Sequence, residues 1–125
     1  MTQVIRFEGL SIPVSDVARS VAFYQTLGFS VEQSGPAFAL LRLGEGTIGL
    51  TRARLDDYPA TARQGVHIEL SVDDLDALYD ELRGRGLSID EPPHEEPWER
   101  AMALRDPDGY QVEFAQGRRG HNQPR

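Results

Sequence analysis

The pattern of residues 12–31, IPVSDVARSVAFYQTLGFSV, returns 58 positions later in residues 70–89, LSVDDLDALYDELRGRGLSI. In each stretch an alternating apolar segment leads to an aspartate, Asp16 or Asp74, and then to apolar residues at helical spacing. Aspartate is a favoured N-cap residue, and the glycine that follows each apolar series is typical of a helix C-terminus. Each stretch therefore predicts a strand, a helix and a further strand.

The repeat continues beyond the helix at a larger offset. Residues 39–40 match residues 103–104, and residues 48–50 match residues 112–114, at an offset of 64 positions. We expect the six additional residues to lie in a loop at 91–98, EPPHEEPW, because prolines interrupt regular structure. The sequence thus predicts an α+β fold made of two βαβββ units.

The same comparison sets the boundaries. We expect a single domain over residues 1–117, with unit one at 5–52, a linker at 53–65 and unit two at 66–117. Residues 118–125, which follow the last predicted strand, are expected to form a flexible tail. A length of 125 residues suits one domain.

Composition excludes several classes of function. The chain has no cysteine, which excludes disulfides, thiolate zinc sites and cysteine nucleophiles. Its apolar runs are short and its N-terminus lacks the pattern of a secretory signal, so we expect a cytoplasmic protein that does not enter a membrane. The net charge of −7 disfavours nucleic acid and favours cationic partners, although it also serves solubility.

Strand alternation predicts which side chains face away from the core. In residues 66–72, His67 opposes the apolar positions, and in residues 110–115 Glu113 does the same. Because the helices should cover the apolar face, we expect His67 and Glu113 to face one hollow. A histidine in a strand is more often a neutral hydrogen-bonded side chain than a ligand, so the pair alone does not define a function.

Three stretches resemble the vicinal oxygen chelate superfamily, which includes glyoxalase I, extradiol dioxygenases, fosfomycin-resistance enzymes and bleomycin-resistance proteins. They are residues 11–31, 65–86 and 97–114, and the combination of FYxxLGF with the last stretch is specific. The resemblance implies a glyoxalase-like fold, in which the two units form a curved mixed sheet around a concave groove.

The metal enzymes of this superfamily take one ligand from the first strand and one from the last strand of each unit. On this sequence those positions are Gly9, Gly49, His67 and Glu113. Glycine has no donor atom, and two protein ligands fall short of the three or four that catalytic zinc or iron requires. The resemblance therefore implies no cofactor and no metal centre. The alternative is a lyase, isomerase or dioxygenase that uses the incomplete pair with a divalent metal.

Within the superfamily, the sequence most resembles the bleomycin-resistance proteins, which sequester the drug and perform no chemistry. Residues 95–109, the length and the acidity carry this likeness. In those proteins the planar part of the drug lies between aromatic side chains, in a groove between two subunits. The ligand-binding residues implied here are Phe38, Trp98, Met102, His67 and Glu113, with Met102 as the repeat counterpart of Phe38.

The function expected from the resemblance is sequestration of a small, planar, cationic antibiotic of the bleomycin type by a cytoplasmic homodimer. The first strand is either exchanged between the subunits or ends at Pro13 within its own chain. Aromatic stacking accepts many planar molecules, so an unrelated metabolite is a third possibility.

Overall fold

The structure, a computed structural model, describes residues 3–117. The tail expected at 118–125 lies outside the described residues. The chain divides into two compact units, Met1–Tyr58 and Pro59–Arg125, and the division falls inside the range expected to be the linker.

Unit one forms a four-stranded mixed sheet with one helix. Its elements are β1 (Gly9–Val14), α1 (Val17–Thr26), β2 (Ser30–Ser34), β3 (Phe38–Leu43) and β4 (Gly46–Arg52). The strand order is β1-β4-β3-β2, with β1 parallel to β4 and the other neighbours antiparallel. This is the βαβββ arrangement that the sequence predicts.

Unit two repeats the arrangement after a linker that contains a 3₁₀ turn (Leu55–Asp57) and a short helix, α2 (Ala60–Gln64). Its elements are β5 (His67–Ser71), α3 (Leu75–Gly84), β6 (Glu91–Glu95), β7 (Glu99–Arg105) and β8 (Gln111–Gly117). The strand order is β5-β8-β7-β6, the same as in unit one. The predicted α+β class with two repeated units is confirmed.

The two long helices begin as predicted. The Asp16 carboxylate accepts a hydrogen bond from the backbone N–H of Arg19 at 3.0 Å, and Asp74 accepts one from Ala77 at 3.1 Å. A glycine with positive φ follows each helix. Among the helices of residues 3–117, none has the length and apolar character needed to cross a membrane.

One face of each sheet packs against its helix and forms the core. In unit one α1 contacts β2, β3 and β4, and in unit two α3 contacts β6, β7 and β8. Fully buried side chains of these cores include Val14, Tyr24, Leu41 and Leu50 in unit one, and Leu75, Leu82, Leu104 and Val112 in unit two. The opposite face of each sheet is called its helix-free face below.

The prediction of a loop at residues 91–98 is wrong for its first part, because Glu91–Glu95 forms strand β6. Strand β6 lies at the edge of its sheet and pairs only with β7. Prolines are tolerated on an edge strand, where the missing N–H groups can point away from the ladder. The register also shifts between Glu91 and His94, which accommodates Pro92 and Pro93.

Candidate functional site

The helix-free face of the first sheet carries an aromatic ring beside small residues. The register pairs Phe38 with Thr51 and Leu40 with Gly49 across β3 and β4, and it places Ser11 of β1 beside Gly49. The residues that alternate with them point into the core. Phe38 is 38% exposed, so part of its ring is available to a ligand.

The helix-free face of the second sheet is acidic. His67 and Glu69 of β5 lie beside Gln111 and Glu113 of β8, respectively, and Glu113 is also paired with Ala103 of β7. The structure therefore brings His67 and Glu113 to one face, two residues apart along the strands. The immediate neighbour of Glu113 on β5 is a second carboxylate, Glu69, and not the histidine.

Partial burial raises the pKa of the Glu99 carboxyl, which belongs to the same face at the start of β7. The negative charges of Glu113, Glu69 and Glu96 raise this pKa further. Arg105 follows the same alternation at the other end of β7, and its guanidinium donates to the Gly109 carbonyl at 3.2 Å. The electrostatic potential on this face is therefore set mainly by the negative charges of its carboxylates.

Met102 does not lie on the helix-free face. Its side chain is fully buried, and its partner in the ladder is Phe114, another core residue. The neighbouring Arg100, which has the same orientation, bonds to Asp76 of α3 at 2.9 and 3.0 Å. Met102 therefore packs beneath α3 on the side of the sheet opposite to Glu113.

A one-residue slip explains why the expected match of Met102 with Phe38 is wrong. Thr51 and Ala115 are counterparts at the offset of 64 positions, but Thr51 pairs with Phe38 whereas Ala115 pairs with Ala101. The true counterpart of Phe38 is therefore Ala101. The turn between β7 and β8 contains one additional residue, and a slip of one residue reverses the face of every side chain in a strand.

Trp98 lies in the hairpin turn between β6 and β7. The turn is closed by a hydrogen bond from the Glu96 backbone N–H to the Glu99 carbonyl at 2.8 Å. The Trp98 side chain is 60% exposed, which is unusual for the largest apolar side chain. Pro97 directly before it restricts the backbone of the turn.

The two glycines at family ligand positions differ in their surroundings, and neither leaves room for a ligating side chain. Gly9 has φ 148°, and a Cβ there would overlap the Thr47 carbonyl oxygen. A Cβ at Gly49 would overlap the Ser11 hydroxyl and lie 3.3 Å from the Phe38 ring. Within residues 3–117, no three histidine or carboxylate side chains gather where a metal ion could be held. A metal centre of the family type does not fit these residues.

The sequence interpretation did not include Glu69 or Glu99 among the candidate ligand-binding residues. Alternation in residues 66–72 places Glu69 on the same side as His67. Its position next to Glu113 depends on the parallel register of β5 and β8, which composition and spacing do not contain. The position of Glu99 on this face depends on the additional residue in the β7–β8 turn, which shifts the register of β7 by one residue.

The chain matches the family model described as the Glyoxalase/Bleomycin resistance protein/Dioxygenase superfamily over residues 6–114. It is also 31% identical over 104 residues to an uncharacterized protein of Mycolicibacterium smegmatis, covering 82% of this chain and 86% of that protein.

Two solved structures carry further information. TnmS3, an antibiotic binding protein from a Streptomyces species, aligns with a TM-score of 0.75 at 25% identity, covering 94% of this chain and all of TnmS3. The bleomycin-binding protein from bleomycin-producing Streptomyces verticillus, in complex with copper(II)-bleomycin, aligns with a TM-score of 0.72 at 28% identity, covering 93% of this chain and all of that one. By its matched residues and its repeated fold, the chain belongs to the glyoxalase/bleomycin resistance protein/dioxygenase superfamily.

Proposed function

We propose that this protein binds and sequesters a small, planar, cationic antibiotic of the bleomycin type and performs no chemistry on it. The observation that carries the proposal is the acidic helix-free face of the second sheet, where partial burial, together with the negative charges of Glu113 and Glu69, raises the pKa of Glu99. A cationic group bound among these carboxylates would relieve their mutual repulsion.

The planar part of the ligand is assigned to the two exposed aromatic side chains. Phe38 and Trp98 both present ring surface that no core contact fully covers. Stacking on such rings contributes about 0.5–1.5 kcal/mol beyond the apolar area removed from water. In this proposal Phe38 and Trp98 stack on the ligand, while His67 and Glu113 supply polar contacts. Met102 supports the second sheet from its core side.

The comparisons support a binding role. Two structurally similar proteins, at 25% and 28% identity, are described as antibiotic-binding and bleomycin-binding. The family ligand positions Gly9 and Gly49 argue in the same direction, because they supply no metal donors and no space for one. The His67–Glu113 pair alone is therefore assigned to ligand contact and not to metal chemistry.

The same proposal includes a cytoplasmic homodimer. The segment before β1 exposes the large apolar side chains of Val4, Ile5 and Phe7, and Leu10 within β1 is exposed as well. A cluster of this kind is typical of a surface that a partner covers, and a second copy forms the simplest symmetric assembly. Sedimentation at micromolar concentration tests this part, and a monomer would contradict it.

The decisive experiment is calorimetry of the wild-type protein with metal-free and copper-loaded bleomycin, followed by mass spectrometry of the recovered drug. We expect saturable binding and recovery of an unchanged ligand. Absence of measurable binding would overturn the assignment to the bleomycin type. Conversion of the drug, or activity that depends on an added divalent metal, would favour the enzymatic alternative instead.

A further inference from the structure

We propose that Ser11, Gly49 and Phe38 form a subsite that selects planar heteroaromatic ligands over planar hydrocarbons. The inference rests on the proposed binding function and assigns part of its specificity. The subsite lies wholly within the first sheet, where β4 is flanked by β1 on one side and β3 on the other.

Gly49 is the centre of this arrangement. Its missing side chain leaves a position that the Ser11 hydroxyl enters from β1 and that Cε1 of Phe38 approaches to 3.3 Å from β3. Phe38 is paired with Thr51, so its ring leans diagonally along β4 to reach Gly49. A hydroxyl group and the edge of an aromatic ring thus converge above one glycine.

This convergence defines the chemistry that the subsite recognises. A flat ring stacked on Phe38 would place its own edge beside the Ser11 hydroxyl. A ring nitrogen or a carboxamide on that edge can form a hydrogen bond with the hydroxyl, whereas a hydrocarbon ring cannot. The aromatic ring therefore supplies most of the contact area, and Ser11 supplies the discrimination between the two classes of ligand.

The counterpart positions in unit two hold different groups. At the repeat offsets and registers described above, Ser11, Gly49 and Phe38 correspond to Glu69, Glu113 and Ala101. Two carboxylates and a methyl group offer charge but no stacking surface. The subsite is therefore a property of unit one and is not a consequence of the repeated fold itself.

The test is an NMR titration of the full chain with two probes, a bithiazole carboxamide and a biphenyl of similar size that lacks heteroatoms. We expect the carboxamide to shift the amide signals of Ser11 and Gly49. Ser11→Ala should weaken carboxamide binding about three- to tenfold and leave biphenyl binding unchanged, because it removes one hydrogen bond. Gly49→Ala should weaken the binding of both probes, because the new methyl group displaces the Phe38 ring.

Two matched variants serve as controls. Ser88→Ala removes an exposed hydroxyl of unit two, and Gly84→Ala adds a methyl group where no atom lies within 4 Å. Both should bind the probes as the wild type does. Thermal unfolding checks that each variant is folded. If Gly49→Ala does not fold, the comparison of Ser11→Ala with the wild type decides the inference.

The outcomes separate this inference from the proposed function. If bleomycin binds and neither Ser11→Ala nor Gly49→Ala alters the binding of either probe, the subsite is wrong and the sequestering function stands. If the carboxamide shifts the subsite signals but bleomycin does not bind, the subsite stands and the bleomycin assignment falls. If neither bleomycin nor the carboxamide binds, both are wrong.

Discussion

The two helix-free faces are built on the same strand order but carry different chemistry. The first presents a hydroxyl, a bare glycine and an aromatic ring, and the second presents carboxylates and alanine methyl groups at the matching positions. Because the cores and helix caps are equivalent, the difference arises from side chains that the fold does not require. The repeat thus places an aromatic ring on the helix-free face of the first sheet and carboxylates on that of the second.

The largest effect is expected from removal of an exposed aromatic ring. Trp98→Ala and Phe38→Ala should each weaken bleomycin binding by about one to three orders of magnitude, from the lost stacking and the lost buried area. Calorimetry measures the change. The control is Tyr58→Ala, which removes a ring that is similarly exposed but lies in the linker. Unchanged affinity in Trp98→Ala would place the ligand elsewhere.

The two glycines at family ligand positions should differ sharply in what they tolerate. Gly9→Ala forces a side chain onto a backbone with φ 148° and into a carbonyl oxygen, so we expect a loss of about 3 kcal/mol in the free energy of unfolding. At Gly49 the obstructing atoms belong to side chains that can move, and the loss should stay below about 1 kcal/mol. Urea denaturation measures the free energy of unfolding of both variants. Equal losses would contradict the prediction that Gly9 is constrained by the backbone and Gly49 only by side chains.

Neutralising the acidic face should slow the association of a cationic ligand more than it speeds dissociation. For the double variant Glu69→Gln with Glu113→Gln, we expect an association rate about three- to tenfold lower, and a weaker dependence on salt. Surface-binding kinetics at several ionic strengths measure both quantities. Asp80→Asn, an exposed carboxylate on α3, is the control. An unaltered association rate would show that the carboxylates of this face do not attract the ligand.

A smaller effect distinguishes the two helices. Ser20 of α1 is fully buried and its hydroxyl has no hydrogen-bond partner among the described residues, whereas the repeat counterpart in α3 is the apolar Leu78. Ser20→Ala removes an unsatisfied polar group and should raise the free energy of unfolding by about 1 kcal/mol. Chemical denaturation beside Ser88→Ala tests this, and a destabilised Ser20→Ala protein would show that the hydroxyl is bonded.

The sequence predicted the parts of the fold that depend on local patterns. Asp16 and Asp74 cap the helices, and strand alternation placed His67 and Glu113 on one face, because both features follow from residue type and spacing. The misplacement of Met102 came from the register. Residue matching kept the offset of β7 equal to that of β8, whereas one additional residue in the turn shifted β7 alone.

The strand at 91–95 was missed for a related reason. Pro92 and Pro93 are unfavourable in a sheet interior, and only the strand order reveals that β6 lies at an edge. The grouping of Glu69 with Glu99 and Glu113 likewise depends on which strands are neighbours. Non-local pairing therefore decided each feature of the site that the sequence pattern did not supply.

The smallest effect concerns the stability cost of the acidic face. The pKa of Glu99 is raised in the folded protein, so its ionised form is disfavoured there relative to the unfolded chain. This penalty is absent at low pH and develops as the pH rises through the raised pKa, so it is fully present at neutral pH. Near pH 7, Glu99→Gln should therefore have a higher free energy of unfolding than the wild type, measured by urea denaturation. The gain should be at most about 0.5 kcal/mol, because solvent screens the site.

The advantage of Glu99→Gln should disappear well below about pH 4, where the carboxyl group is protonated in both the folded and the unfolded state. Glu45→Gln, in the exposed β3–β4 turn of unit one, provides the comparison. If the stability difference between Glu99→Gln and the wild type is the same at both pH values, neither burial nor the neighbouring carboxylates disfavour ionised Glu99. The electrostatic contrast between the two helix-free faces would then be lost, and their difference would rest on the Phe38 ring alone.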